Sequence, residues 1–400
     1  MAGESSLLLV LNCGSSSIKY ALFETHEGRI PRQSQWSGKV EEIGSPSPTH
    51  QVSGQVAEAI TLDPQRPYFS ALDVIRATVQ TRLHGRALDA VVHRVVHGGA
   101  KYFQPVHIDA DVLADLRSYI PLAPLHQPFA LEAVDALLAS NPAIPQFACF
   151  DTAFHRSLPQ VEQLLPLPWE HWEQGMRRYG FHGLSYEYIA HVLKERVGEA
   201  ARGRVIVAHL GNGASLCGMQ DLRSAATTMG FSTLEGLMMG TRCGSVDPGA
   251  ILHLMEIKGI PLAEVGQMLT REAGLLGVSG LSSDTRVLLE HEQDNARAKA
   301  ALDLYIRTIV REIGALTALL GGLDMLVFTA GVGENNPVIR ERVCRRLGFL
   351  GVALDDAANS QNASVVSSTN SKVVVRVEPT NEEWIAANHA WQLLRSQRAG

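Results

Sequence analysis

Two segments, about half the chain apart, share one pattern of hydrophobic and polar positions. Each has an apolar run, a polar turn that contains glycine, and a second apolar run: residues 7–23 turn at 12–17, and residues 204–219 turn at 211–215. This pattern predicts a β-hairpin whose turn offers backbone N–H groups and hydroxyls to an anion. Its recurrence predicts a duplicated unit.

Three further apolar runs lead into residues that carry chemistry. Residues 88–96 include Arg94, residues 146–150 lead to Asp151, and residues 325–328 lead into the glycine-rich segment 331–334. We interpret these runs as strands, and open α/β sheets place ligands at strand ends and in strand-to-helix turns. The three strand ends are therefore candidate site positions.

The segments between the predicted strands are mostly helical in pattern. In the longest, residues 286–320, apolar side chains recur at helical spacing, which predicts a stripe that faces the core. Residues 40–67 are rich in Ser, Pro, Gly and Gln and are predicted to be irregular surface structure. Alternating strands and helices in two similar halves favour an α/β architecture. Helices are predicted at 127–138, 185–197, 248–257, 286–320, 337–347 and 382–397.

Length and composition narrow the class of protein. A chain of 400 residues usually exceeds what one core supports, so two domains are expected. With 46% hydrophobic residues, 19% charged residues and a net charge of -6, the chain has the composition of a soluble globular protein without a general attraction for nucleic acid. The apolar run 7–11 is too short to cross a bilayer and lacks a basic leader, so we expect a buried strand and no membrane association. The five cysteines form no CxxC pair, which fits reduced thiols in a cytoplasm better than disulfides or a zinc site.

Four polar islands that contain glycine or serine point to phosphate chemistry. The first, Met-Gly-Thr-Arg-Cys-Gly-Ser-Val-Asp-Pro at 239–248, places Arg242 on a backbone whose glycines permit close approach to an anion. The others lie at 11–19, 92–99 and 209–213. Any single island could be a surface turn with a solvated charge. Together they indicate a site that holds phosphate by local positive charge, because the chain as a whole is acidic.

Five more motifs follow in order: Leu-Ala-Pro-Leu-His at 122–126, Phe-Asp-Thr-Ala-Phe-His at 150–155, Tyr-Gly-Phe-His-Gly at 179–183, Thr-Ala-Gly-Val-Gly-Glu-Asn at 329–335 and Pro-Thr-Asn-Glu-Glu at 379–383. With the four islands, they make the chain similar to the acetate/propionate kinase family from about Leu7 to Glu383. The resemblance implies an α/β, two-domain actin/Hsp70/sugar-kinase (ASKHA) fold with a duplicated βββαβαβα core. It implies an N-terminal domain at 1–153, completed by a C-terminal helix at 384–400, and a C-terminal domain at 154–383 that carries most of the nucleotide site.

The resemblance also implies a reaction. A cytoplasmic homodimeric kinase would transfer a phosphoryl group reversibly and directly from ATP to acetate, giving acetyl phosphate and ADP, with Mg²⁺ or alternatively Mn²⁺. A carboxylate nucleophile is already ionised near pH 7 and needs no general base, so the catalytic groups expected are those that neutralise and align charge. A propionate or butyrate kinase of the same fold is the alternative within enzymes. An ATP-binding clamp of the actin or Hsp70 type is a remote alternative outside them, and two arginines in glycine-flanked islands argue against it.

The family motifs assign roles to individual residues. Arg94 and Arg242 would clamp the carboxylate or phosphoryl oxygens in two-point fashion, although each could instead form a structural salt bridge. Asp151 is also expected to act in catalysis, and His182 and His126 would donate hydrogen bonds to the phosphoryl oxygens. Metal ligands would be Asn12 and Glu382, with Asp151 acting on the ion directly or through water.

The same motifs indicate the substrate-binding residues. The acyl group would meet Arg94, Val96, Leu125, Phe181 and Thr233. The nucleotide and its phosphates would be bound by Lys19, Ser15, Ser17, His209, Leu210, Gly211, Asn212, Gly213, Asp284, Thr285, Arg286, Gly331, Val332, Gly333, Glu334 and Asn335. For Ser15 and Ser17, an ordinary serine-rich turn remains the alternative reading.

Three positions depart from the family pattern. Thr233 stands where the family usually has proline, which affects the size and polarity of the acyl pocket. After Gly183 the chain reads Leu184-Ser185-Tyr186, where the family typically has Thr-Ser-His, so the groups that support His182 are expected to differ. Thr285 replaces a larger apolar residue and affects nucleotide preference.

Overall fold

A computed structural model describes residues 5–124 and 126–399, except for the side chain of residue 399. Within these residues the chain divides into two compact units. Unit 1 runs to Ala153 and includes the segment from Asn381 onward, and unit 2 is Phe154–Thr380.

Unit 1 is built on a mixed sheet with strands in the order β5-β4-β3-β2-β1-β6-β8-β7. β1 pairs antiparallel with β2 and parallel with β6, and β6 pairs parallel with β8. The strands are β1 (Leu7–Cys13), β2 (Ser17–Glu24), β3 (Trp36–Glu41), β4 (Thr49–Val52), β5 (Glu58–Ala59), β6 (Ala90–Val95), β7 (Val106–His107) and β8 (Gln146–Phe150).

Helices cover both faces of this sheet, so β1, β6 and β8 are mostly buried on both sides and consist largely of apolar residues. The unit 1 helices are α1 (Pro67–Leu83), α2 (Ala110–Ser118), α3 (Gln127–Ser140) and the C-terminal helix Glu382–Ala399, with a 3₁₀ turn at Ile120–Leu122. The C-terminal helix is fixed by two indole N–H groups, which donate from Trp384 to the Ile30 carbonyl and from Trp391 to the Gly28 carbonyl. It therefore carries Glu382 into unit 1.

Unit 2 repeats the central part of this topology. Its sheet has the order β11-β10-β9-β12-β13, with antiparallel pairing up to β9 and parallel pairing from β9 to β13. The same sequence of pairings occurs along β3-β2-β1-β6-β8 in unit 1. The strands are β9 (Arg204–Leu210), β10 (Ala214–Gln220), β11 (Arg223–Thr227), β12 (Met325–Thr329) and β13 (Val374–Val377).

Helices and short turns make up most of the rest of unit 2. The α-helices are α4 (Gln160–Gln163), α5 (Trp169–Glu173), α6 (Gly183–Arg196), α7 (Pro248–Leu252), α8 (Leu262–Gln267), α9 (Gly274–Ser279), α10 (Thr285–His291), α11 (Ala296–Leu320), α12 (Ala330–Asn335), α13 (Pro337–Arg345) and α14 (Asp356–Ser360). The 3₁₀ and π turns from residue 153 onward are Ala153–Ser157, Gly198–Arg202, His253–Ile257, Met268–Glu272 and Gly348–Leu350.

Both predicted hairpins, the α/β class and the duplication are confirmed. The prediction of one helix over 286–320 is wrong, because the Asn295 side chain accepts the N–H groups of Arg297 and Ala298 and starts a new helix after α10. Residues 40–67 are also more regular than predicted, since β4 and β5 extend the sheet edge by backbone pairing that a polar sequence does not reveal. Residues 248–257 form α7 and a π turn in place of one α-helix, and the glycine-rich segment after β12 is the short helix α12.

No helix in residues 5–124 and 126–399 combines the length and the apolar character needed to cross a membrane. Among the described residues the five cysteines form no disulfide, and Cys243 is the most accessible of them.

Candidate active site

The carboxyl ends of β1, β6 and β8 bring Asn12, Arg94 and Asp151 together in unit 1. Asn12 lies opposite Arg94 in the parallel pair β1–β6, and the backbone N–H of Asp151 donates to the Val95 carbonyl. The Arg94 guanidinium donates from Nε to Asp151 Oδ1 at 2.8 Å and from Nη2 to Oδ2 at 2.5 Å. Nη1 donates to Asn12 Oδ1 at 3.2 Å and lies 3.4 Å from Glu382 Oε2. Four predicted site residues are therefore in one cluster.

The Arg94 charge is balanced by these neighbours. Burial opposes the charged form, but the carboxylates of Asp151 and Glu382 outweigh it and raise the pKa of Arg94 above its usual value. The Asp151 side chain is only 3% exposed, so the Arg94–Asp151 contact is a buried bidentate ion pair. Arg94 thus forms the structural salt bridge that was the alternative to its role in the substrate clamp. A substrate would have to bind the Nη1 and Nη2 hydrogens that are not donated to Asp151.

The first hairpin places Lys19 beside the same region of unit 1. Lys19 lies opposite Asn12 in the β1–β2 pair, and its exposed side chain lines a cavity of about 490 Å³ with Asn381 and Glu383. Burial raises the pKa of the Glu383 carboxyl, its neighbour Glu382 raises it further, and Lys19 and Arg94 partly offset both effects. Ser15 is exposed at the tip of the turn, and Ser17 closes it by accepting the Gly14 N–H at its carbonyl.

The other predicted residues of unit 1 are less closely connected to this cluster. Val96 is buried directly after β6, and His126 is half-buried at the N-terminal boundary of α3. Leu125 lies outside the described residues. Their roles toward the acyl group and the phosphoryl oxygens stay predictions.

Arg242, His182 and Gly213 meet in unit 2. A Cβ atom added at Gly213 would lie 2.5 Å from Arg242 Nη2 and 3.3 Å from His182 Nε2, so both polar groups face the backbone of this glycine. Only glycine leaves room for the guanidinium here. Arg242 Nη1 donates to the Thr233 carbonyl at 2.9 Å, which ties the arginine to the predicted acyl-pocket residue.

Arg242 differs from Arg94 in its electrostatics. Burial lowers the pKa of Arg242 to about 10, and among the described residues no carboxylate lies within salt-bridge distance to offset it. At pH 7 the side chain is still a cation, held in a half-buried place without a counter-charge. Such a charge is costly unless an anion joins it, so the geometry suits an anion-binding site.

The His182 ring is held from two sides. Its Nδ1 lies 2.8 Å from Ser215 Oγ, and its face stacks on His209 with ring centroids 4.1 Å apart. His182 itself has φ of 59° before α6, a left-handed conformation that few non-glycine residues adopt. This backbone geometry is a local cost that commonly occurs at functional positions.

A cavity of about 530 Å³ in unit 2 is lined by half of the predicted nucleotide residues. Asn336 and Leu275 line it besides the predicted set, and Asp284 accepts the Arg286 N–H and pairs with its guanidinium. The predicted residues that line it are Gly211, Asn212, Asp284, Thr285, Arg286, Gly331, Val332 and Asn335. A cavity of this size with backbone glycines and a few polar groups has the character of a nucleoside site.

The remaining predicted nucleotide residues of unit 2 do not line this cavity. His209 is occupied by stacking on His182, Leu210 is fully buried, and Gly213 belongs to the Arg242 cluster. The Glu334 carboxylate accepts the N–H groups of Ala330 at 2.8 Å and Thr380 at 3.0 Å, and so holds α12 in place. Gly333 lies within the same helix, where an added Cβ atom would be 3.4 Å from the Ala208 carbonyl oxygen and from the Phe328 carbonyl carbon.

Arg340 is a residue that the sequence did not point to. It is fully buried, and burial lowers its pKa to about 10. Its guanidinium donates to the carbonyls of Gly333 and Glu334, both at 2.9 Å, and to oxygens of Asn359 and Asn362. Arg340 thus fixes the C-terminal carbonyls of α12 beneath the nucleotide cavity, a role that depends on a tertiary contact and has no local sequence signal.

Comparison with known proteins identifies the family. The acetokinase family pattern matches residues 7–388. The acetate kinase of Rhodopseudomonas palustris (strain ATCC BAA-98 / CGA009) is 48% identical over 395 residues, which cover 97% of this chain and 98% of that protein. Among solved structures, the Porphyromonas gingivalis acetate kinase has a TM-score of 0.85 and 38% identity, covering 97% of this chain and 100% of the other. The Francisella tularensis propionate kinase has a TM-score of 0.89 and 33% identity, covering 96% and 98%. These matches show that the chain belongs to the acetokinase family.

Proposed function

We propose that the chain catalyses direct, reversible, Mg²⁺-dependent transfer of the γ-phosphoryl group of ATP to acetate, with Arg94, Arg242, His182 and His126 as the groups that hold the reacting oxygens. The observation that carries the proposal is Arg242, a half-buried cation that faces Gly213 together with His182 Nε2 and has no carboxylate partner within residues 5–124 and 126–399. Phosphoryl transfer spreads charge over three equatorial oxygens, and fixed cations and N–H donors stabilise that charge.

The two arginines supply different parts of this chemistry. Arg242 would meet the transferring group, because no carboxylate of the described residues lies within salt-bridge distance of its guanidinium. Arg94 would orient acetate through its outer N–H groups while Asp151 fixes the guanidinium plane. Acetate attacks as an existing carboxylate, so no side chain in this scheme has to remove a proton.

The oxygen atoms around Arg94 fit Mg²⁺. Mg²⁺ prefers one or two carboxylates and completes its shell with water and substrate phosphates, and Asn12, Asp151 and Glu382 offer amide and carboxylate oxygens. In the described part of the chain, no group of three or more His, Cys, Asp or Glu side chains could hold a metal ion. We assign Asn12 and Glu382 to the metal site, with the carboxylates of Glu382 and Asp151 acting on the ion directly or through water. When bound, the ion would neutralise phosphate charge.

Removing Glu382 should weaken the enzyme's response to Mg²⁺. We expect Glu382→Ala to raise the Mg²⁺ concentration for half-maximal rate by about 10-fold or more, because one of few protein carboxylates for the ion is lost. A titration of initial rate against free Mg²⁺ measures this, with the exposed Glu58→Ala of unit 1 as control. An unchanged Mg²⁺ titration in a folded Glu382→Ala enzyme would remove this ligand assignment.

Acyl preference tests the pocket assignment at Thr233. An added methylene in an apolar pocket typically changes discrimination by about 1 to 3 kcal/mol, so we expect acetate to exceed propionate, and propionate to exceed butyrate, in kcat/KM. Thr233 lacks the ring of the usual proline, so Thr233→Pro should lower propionate use relative to acetate. Hydroxylamine trapping of the acyl phosphate across the three acids measures these ratios.

Thr233→Val separates shape from polarity, because it keeps the branched outline and removes the hydroxyl. If Thr233→Pro leaves the ratio unchanged in a folded enzyme, or if kcat/KM rises from acetate to butyrate, the pocket assignment of Thr233 fails. In the second case the chain would be a kinase of longer acids, which is the alternative function.

The assembly and location also belong to the proposal. We expect a homodimer in the cytoplasm, where thiols that form no disulfide, such as those of the five cysteines, stay reduced. Light scattering of the purified protein should give twice the mass of one chain.

A further inference from the structure

Tyr186 is buried beside His182, at a position where the sequence departs from the family pattern. It lies in the first turn of α6, is fully buried, and packs its ring against those of His155 and His209. Its hydroxyl lies 2.5 Å from Ser215 Oγ, the same oxygen that lies 2.8 Å from His182 Nδ1. One serine hydroxyl therefore joins the tyrosine to the imidazole.

The number of hydrogens available fixes the direction of the two hydrogen bonds that link Tyr186, Ser215 and His182. A serine hydroxyl carries one hydrogen and two acceptor lone pairs, and the neutral imidazole carries one N–H. Ser215 is the hydrogen-bond partner that the described residues give to the Tyr186 hydroxyl. Tyr186 therefore donates to Ser215, and Ser215 donates to His182 Nδ1. In the opposite direction the tyrosine hydrogen would be buried without an acceptor, which costs about 1 to 3 kcal/mol.

The direction of these two hydrogen bonds sets the tautomer of His182. If Nδ1 accepts, the proton of the neutral ring resides on Nε2, the atom that faces Gly213 and Arg242. An Nε2–H group is a hydrogen-bond donor for an anionic oxygen, whereas a bare Nε2 would repel one. Burial raises the pKa of Tyr186 well above its ordinary value, so the phenol keeps the hydrogen that it donates to Ser215.

We propose that Tyr186 and Ser215 are positioning residues that fix His182 as the Nε2–H tautomer and aim that donor at the phosphoryl oxygens. The proposal rests on the proposed role of His182 and adds the groups that prepare it. Tyrosine is suited to this place because its hydroxyl stays neutral and keeps one donor at all ordinary pH values, whereas a histidine would titrate.

Tyr186→Phe removes the first donor with little change of shape. Ser215 can then either donate to His182 Nδ1 or accept from it, so we expect kcat to fall by about 10-fold or more while KM for ATP and for acetate stays within about twofold. Tyr68→Phe is the matched control, because Tyr68 is also buried but lies in unit 1. A lowered kcat in Tyr68→Phe of equal size, or an unchanged kcat in Tyr186→Phe, would overturn the proposal.

A spectroscopic measurement separates the relay from a merely structural effect. In protein labelled with ¹⁵N-histidine, two-bond ¹H–¹⁵N correlation spectra report which ring nitrogen bears the proton, and the His182 signals are those that disappear in His182→Gln. We expect a pure Nε2–H tautomer in the unmodified protein and a mixture in both Tyr186→Phe and Ser215→Ala. An Nδ1–H tautomer in the unmodified protein, or a pure Nε2–H tautomer in both variants, would refute the relay. High activity in His182→Gln would instead refute the proposed role of His182, while the tautomer result still judges the relay.

Discussion

Arg242→Ala is expected to lower kcat by about 10³-fold or more without lowering the stability of the fold. The loss of rate follows from removing a cation that meets transition-state charge, for which a single arginine contributes roughly 10³ to 10⁵. The stability expectation follows from burial without a carboxylate partner, because replacing an uncompensated charge with a neutral side chain removes its desolvation cost. Steady-state rates and thermal unfolding of the same preparations measure both effects.

The matched control for Arg242→Ala is Arg345→Ala in the same unit. The Arg345 side chain is 69% exposed and pairs with Glu341 on the surface of α13. Arg345→Ala should therefore change neither kcat nor the melting temperature by much. Near-normal turnover in Arg242→Ala would contradict the anion-site interpretation. A large drop in melting temperature would show instead that Arg242 is mainly a structural residue.

Arg94→Ala is expected to abolish most activity and also to destabilise unit 1. Asp151 is buried, and without its partner it would be an uncompensated carboxylate, which typically costs about 3–5 kcal/mol. The two arginine variants should therefore differ in stability. Both are expected to have a lower kcat, but only Arg94→Ala is expected to have a lower free energy of unfolding. Urea unfolding followed by tryptophan fluorescence measures the difference, since Trp36, Trp384 and Trp391 report on unit 1.

A second substitution tests the cause of that destabilisation. In the double variant Arg94→Ala with Asp151→Asn, the unpaired charge is gone, so stability should return in part while activity stays low. If Arg94→Ala is as stable as the unmodified protein, Asp151 is not held by Arg94 in solution. If the double variant regains activity, Arg94 acts only by neutralising Asp151.

Local patterns in the sequence were sufficient for the hairpins and for the strand ends that carry Asn12, Arg94 and Asp151. Apolar runs interrupted by glycine-containing turns determine those elements directly, and parallel pairing then brings their ends together. The break before α11 was missed, because the helical stripe continues across Asn295 and only its capping contacts show the boundary. The strands of residues 40–67 were missed because edge strands are paired through backbone atoms, for which polar side chains give no signal.

The family motifs placed most of the candidate site but could not show how each side chain is used. Glu334 stands in a nucleotide motif, yet its carboxylate holds the backbone of α12. The difference between Arg94, which is paired, and Arg242, which is not, depends on which carboxylates the fold brings near each guanidinium. Arg340 and Tyr186 act through residues distant in sequence, so their contacts become visible only in three dimensions.

The most direct test of the central claim is ³¹P NMR of the purified protein with ATP, Mg²⁺ and acetate. We predict that an acyl phosphate resonance grows as ATP is converted to ADP, that it requires acetate, and that adding ADP to acetyl phosphate regenerates ATP. Conversion of ATP to ADP and inorganic phosphate at a rate independent of acetate, with no acyl phosphate signal, would contradict the account.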